Sequence, residues 1–103
     1  MNRLQRWRLC RKYSSLRTMI LVFFGQDFDI FGETIEEIVH SYKYDYHDAD
    51  VVSRLRNQIT EVLKENDSEL TSIMVLLAEN QFYPKLWGET WRSFLQRVLA
   101  ALQ

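Results

Sequence analysis

The chain is short of the residues that most often announce a chemistry or a compartment: 103 residues contain one cysteine, one proline and three glycines, and no uninterrupted apolar run exceeds six residues. A lone Cys10 excludes an intramolecular disulfide and a Cys-rich metal site, and fits a reducing cytoplasm. Scarce glycine and proline leave few turns, which speaks against a sandwich or barrel of short strands. No stretch approaches the roughly 20 apolar residues that span a bilayer. The basic start followed by Met19-Ile20-Leu21-Val22-Phe23-Phe24 has the outline of a signal peptide, but Gly25-Gln26-Asp27 follows at once with no small-residue cleavage site. The expectation is a soluble cytoplasmic protein. Catalytic signatures are also missing: there is no phosphate-cradling glycine loop and no Ser/His/Asp grouping on a recognisable elbow. His40 and His47 lie seven apart, which matches no helical ligand pair at i, i+3 or i, i+4. Neither an enzyme nor a metal or cofactor protein is expected.

What is present is charge sorted by position. Residues 1–17 hold Arg3, Arg6, Arg8, Arg11, Lys12 and Arg17 with no acid. Residues 27–50 hold Asp27, Asp29, Glu33, Glu36, Glu37, Asp45, Asp48 and Asp50 against the single Lys43, interleaved with Phe28, Phe31, Tyr42, Tyr44 and Tyr46. The formal net charge of −1 averages over these opposed blocks. An acidic surface carrying rigid aromatic anchors suits a basic protein partner. The ordinary alternative is that such acids form the solvated faces of helices.

With 47% hydrophobic residues the chain is expected to fold as one domain over 1–103, burying roughly two-thirds of its unfolded surface. Leu4, Trp7 and Cys10, then Leu16, Ile20, Phe23 and Phe24, keep near-helical spacing, giving one or two N-terminal helices with Ser14-Ser15 as a break and Gly25 as the stop. Thr34-Ile35-Glu36-Glu37 reads as a Thr-x-x-Glu capping box opening a helix from about Ile35 to Lys43. Tyr44 to Asp50 is too polar to continue it, and Asp48 is placed to cap the next. Val51, Val52, Leu55, Ile59, Val62 and Leu63 form an apolar face ending at Asn66. Asp67 or Ser68 caps a segment with Leu70, Ile73, Met74 and Leu77, which Gln81-Phe82-Tyr83-Pro84 breaks. Trp91, Phe94, Leu95, Val98, Leu99 and Leu102 fall at i, i+3, i+4, i+7, i+8 and i+11, the sharpest helical period in the chain. The architecture predicted is a compact all-α bundle of five or six helices.

Phe24-Gly25-Gln26-Asp27-Phe28, then Gly32-Glu33-Thr34-Ile35-Glu36-Glu37-Ile38-Val39, and Tyr83-Pro84 ahead of Trp91 and Phe94-Leu95, resemble in order and separation the small helical immunity proteins of contact-dependent growth inhibition systems. The resemblance covers about residues 23–102. Gly25 stands where that family often has histidine, Glu33 where it has aspartate and Ile35 where it has proline, and residues 1–17 are more basic than the resemblance leads one to expect. What the resemblance implies is a non-enzymatic cytoplasmic protein that binds the C-terminal toxin domain of a cell-surface effector, CdiA. Such toxins are frequently nucleases, an RNase being the expectation, and their substrate grooves are basic.

The two readings meet at the acidic block. Asp27, Asp29, Glu33, Glu36, Glu37, Asp45, Asp48 and Asp50 would steer and pair with a basic active-site rim, and Tyr42, Tyr44 and Tyr46 would supply anchors, at least one of the three serving instead as core or as a loop lid. The rival function is a non-enzymatic helical adaptor or regulator that binds nucleic acid through its basic N-terminal helix, with Trp7 and Tyr13 able to stack. The ordinary fate of such a helix is that its arginines are solvated or pair with the protein's own acids. That ordinary fate is favoured, so neither a nucleic-acid nor a membrane partner is expected.

Overall fold

The computed structural model describes residues 2–103, and among them every regular element is helical. Six α-helices follow in order: α1 (Arg3–Lys12), α2 (Ser14–Thr18), α3 (Ile35–Asp45), α4 (Ala49–Val62), α5 (Asp67–Ala78) and α6 (Trp91–Leu102). A π turn over Met19–Phe23 continues α2, and short 3-10 turns occupy Phe28–Ile30 and Pro84–Trp87. The all-α bundle predicted from periodicity is the fold found.

Helix α6 is the hub, packing against α3, α4 and α5. Its stripe of Trp91, Phe94, Leu95, Val98 and Leu102 is buried. Thr90 opens the helix with a reciprocal cap, its Oγ1 accepting from the Ser93 amide at 3.0 Å while Ser93 Oγ accepts from the Thr90 amide at 2.9 Å. Phe94 meets Phe24 edge-on at 5.0 Å and Phe82 at 4.8 Å, and Trp91 closes the same aromatic group. Such pairs add to the burial energy of the rings.

The π turn divides two consecutive aromatics. Phe24 goes to the α6 group, whereas Phe23 packs on Phe31 at 4.5 Å and Tyr42 at 5.2 Å, and so fastens the 27–31 turn to α3. Gly25 ends this segment where only glycine fits the backbone as it stands, since a Cβ there would lie 2.4 Å from the Leu21 carbonyl oxygen.

Several boundaries differ from those predicted. Helix α3 continues to Asp45, because Tyr42 is apolar enough to hold the last turn against the core. Helix α4 ends at Val62, and Asn66, not Asp67 or Ser68, caps α5 by accepting from the Glu69 amide at 2.9 Å. Helix α5 stops at Ala78, before the Gln81–Pro84 break, through two left-handed residues, Glu79 at φ 48° and Asn80 at φ 61°. Asn80 accepts from the Tyr83 hydroxyl at 2.9 Å and Glu79 pairs with Arg17 at 3.2 Å, so side-chain partners hold a turn that glycine would favour. The largest departure is α1: Leu4 and Trp7 stand 54% and 56% exposed, and no residue of that helix is buried.

A candidate docking face on helix α3

Helix α3 has two opposed faces, set by its period. Ile35, Ile38, Val39 and Tyr42 are buried on one side. Glu37, His40, Ser41 and Tyr44 follow at i, i+3, i+4 and i+7 on the other. The start is fixed by Thr34, whose Oγ1 accepts from the Glu37 amide at 3.1 Å. The reciprocal bond of the predicted capping box is displaced by one residue: the Glu37 carboxylate accepts from the Glu33 amide at 2.8 Å, not from Thr34. Gly32 permits this close approach, because a Cβ there would sit 2.6 Å from Glu37 Cβ. Ser41 completes the frame by donating from Oγ to the Phe31 carbonyl at 2.6 Å, which draws the Phe28–Ile30 turn alongside the helix.

The result is a pair of contiguous, open hollows that share His40, Tyr44 and Asp45. One is lined by Ile30, Phe31, Glu37 and Ser41 as well, the other by Lys43 and His47. Tyr44 is 84% exposed between them and Ile30 is 74% exposed at the edge. Both are large apolar side chains held by stiff backbone in a ring that carries Glu37 and Asp45, with Asp29 adjoining Ile30 in the turn. Lys43, the only cation of the acidic block, directs its Nζ to the Ala101 carbonyl at 3.5 Å. Lys43 keeps its charge there, so Glu37 and Asp45 leave the lining of the two hollows with an excess of one carboxylate, to which Asp29 and Glu33 add nearby.

Not every predicted site residue joins this face. Glu33, Glu37, Asp29, Asp45 and Tyr44 are exposed there or on the turn leading to it. Tyr42 is 2% exposed, and burial pushes its hydroxyl pKa up. It belongs to the core, because two residues along a helix turn a side chain by about 200°. Tyr46 lies over Tyr42 at 4.8 Å and over Phe23 at 6.0 Å, a lid whose outer edge stays in solvent. Glu36 is half-buried and bound to Arg97, whose hydrogen bonds hold its carboxyl below the usual range. Asp48 caps α4, accepting from the Asp50 amide at 2.8 Å, and these two, with Asp27, are exposed but line neither hollow.

Ile30 was not singled out by the sequence, and His40 was weighed only as a metal ligand, not as part of a docking face. Ile30 had a signal: an apolar residue in a glycine-bounded turn, preceded by an acid, with no helical partner to explain it. Among the described residues no three His, Cys, Asp or Glu side chains converge as metal ligands, and no helix is long and apolar enough to cross a membrane. What the face offers is two large exposed side chains, Tyr44 and Ile30, beside the carboxylates of Glu37 and Asp45. In comparisons with known proteins, the model of the CdiI immunity protein family matches residues 12–102. No curated protein and no solved structure matches the chain.

Proposed function

The chain belongs to the CdiI immunity protein family, and we propose that it neutralises its cognate toxin, the C-terminal domain of a CdiA effector, by seating the outer face of α3 on a basic active-site rim. The observation that carries this is Tyr44, 84% exposed on a rigid helix and flanked by Glu37 and Asp45. A nuclease must attract phosphate, so its rim carries lysine and arginine, and a carboxylate ring presents the complementary charge. Tyr44 and Ile30 then enter the groove as anchors, since a large aromatic loses little conformational entropy on binding. Asp29, Glu33, Glu37 and Asp45 act first, steering encounter, and afterwards pair at the rim. The protein works in the cytoplasm as a stoichiometric inhibitor and needs neither cofactor nor chemistry of its own.

Co-expression with the toxin tests the class of function: the intact chain should restore growth, and the purified protein alone should cleave no RNA. The face is tested by kinetics on the purified toxin. Tyr44→Ala should speed dissociation, and full protection by a Tyr44→Ala, Asp45→Lys double variant would place the interface elsewhere.

A further inference from the structure

We propose that α1 is a second binding surface, for single-stranded nucleic acid, separate from the acidic face of α3. The fold does not explain the composition of this helix. It packs on α5 and α2 with only Leu9 and Cys10 partly covered, and none of its ten residues is buried. Of the six cations in residues 1–17, Arg17 alone forms an ion pair among the described residues, with Glu79 at 3.2 Å. Arg3, Arg6, Arg8, Arg11 and Lys12 are all exposed, and no acid occurs in the chain before Asp27. Of the two ordinary fates of such cations, solvation and pairing with the protein's own carboxylates, the helix shows the first and Arg17 the second.

The outward side of α1 joins the two kinds of group that a single strand needs. Arg3, Leu4, Trp7 and Arg11 fall within about 100° of one another on the helix. Trp7 is 56% exposed and the Arg11 guanidinium carbon lies 5.3 Å from its ring. An open indole with an adjoining guanidinium is a platform for a base, while the other arginines take the flanking phosphates in the two-pronged way that lysine cannot. Glu69 of α5, which lines a hollow with Gln5 and Arg8, keeps the opposite side of the helix less attractive to phosphate. A lipid surface fits poorly, because Arg3, Arg6, Arg8, Arg11 and Lys12 are spread over the exposed part of α1 and leave no continuous apolar face to insert. The family match begins at residue 12, so Arg3, Trp7 and Arg11 lie ahead of the matched region.

Anisotropy of a fluorescein-labelled 15-nucleotide RNA of mixed sequence, titrated with the full chain from 20 to 200 mM salt, tests the proposal. Contact with about four phosphates predicts a log–log salt slope near −3 for a single strand. Trp7→Ala should weaken binding about 10-fold, and Arg3→Gln with Arg11→Gln should reduce the slope by about one to two while the melting temperature holds. Protection against the toxin should be unchanged in both variants. No binding at 20 mM salt, an affinity indifferent to Trp7→Ala, or equal binding to polyglutamate or to phosphatidylglycerol vesicles would each overturn it. So would loss of toxin protection in the α1 variants, which would make this helix part of the toxin interface.

Discussion

Arg97 grips Glu36 with two nitrogens, at 2.7 and 3.0 Å, and reaches Glu89 with the third at 2.7 Å. One guanidinium thus ties the first turn of α3 to the middle of α6 and to the segment that leads into α6. Ser93 and Arg97 together hold the Glu89 carboxyl below its usual range, and Arg97 does the same for Glu36. A carboxylate that reads in sequence as a steering charge is a strut between two helices.

Arg97→Ala should therefore destabilise the fold by about 1 kcal/mol, given that the Arg97–Glu36 pair is partly open to solvent. For a domain of this size the melting temperature should fall by about 4 °C or more at pH 7. Both carboxyls have folded values depressed below the ordinary 4.5. Their contribution is present above that value and is lost as pH falls through the depressed values. Thermal melts across pH 7 to 3 should show the gap between parent and variant closing below about pH 4.5.

Charge reversal separates steering from support. Asp29→Lys with Asp45→Lys should slow association with the toxin and flatten its salt dependence, because exposed charges act over about a Debye length of 8–10 Å. Melting should be unaffected. Glu36→Lys would set a cation against Arg97 and should lower the melting temperature whether or not toxin is bound. Stopped-flow association rates from 20 to 300 mM salt decide the first point and calorimetry the second.

Two tyrosines two residues apart should behave in opposite ways. Tyr44→Ala should leave stability within about 0.5 kcal/mol of the parent and raise the dissociation rate by roughly 30-fold, the size of a 2 kcal/mol anchor. Tyr42→Ala removes a side chain that is 2% exposed and should cost roughly 3 kcal/mol or more in urea denaturation. Equal effects of the two changes on stability would contradict the orientation of α3.

Trp91 is 8% exposed against Phe82 and Phe94, so Trp91→Ala should cost roughly 3–5 kcal/mol. Chemical denaturation followed by far-ultraviolet circular dichroism checks this, and a change near zero would mean that the α6 stripe is not the core.

The parts of this structure that could be read from sequence are those fixed within one or two helical turns. The α6 stripe, Asp48 as a cap and Thr34 as a cap all rest on neighbours within four residues. The division of the tyrosines lay in the same period but was not drawn from it: Tyr42, taken with Tyr44 and Tyr46 as an anchor, falls in step with Ile35, Ile38 and Val39 and is core, and Tyr44 does not. What could not be read depends on where distant segments lie. Leu4 and Trp7 have helical spacing but find no partner, since α1 packs along α5 through Leu9 and Cys10 instead. Glu36 and Arg97 are 61 residues apart, and nothing local announces their pairing. Ile30 joins Tyr44 only because Ser41 and Phe23 draw the intervening turn onto α3.

The wide turn over Met19–Phe23 and the bare backbone at Gly25 cannot drift separately. The Leu21 carbonyl that would meet a Cβ at position 25 belongs to that turn, so any side chain placed there requires the segment to rewind. Rewinding would redirect Phe23, and with it the turn that delivers Ile30 to the edge of the acidic face. A change at one buried glycine would thus be felt at Ile30, five residues away, with Ile30 itself unchanged.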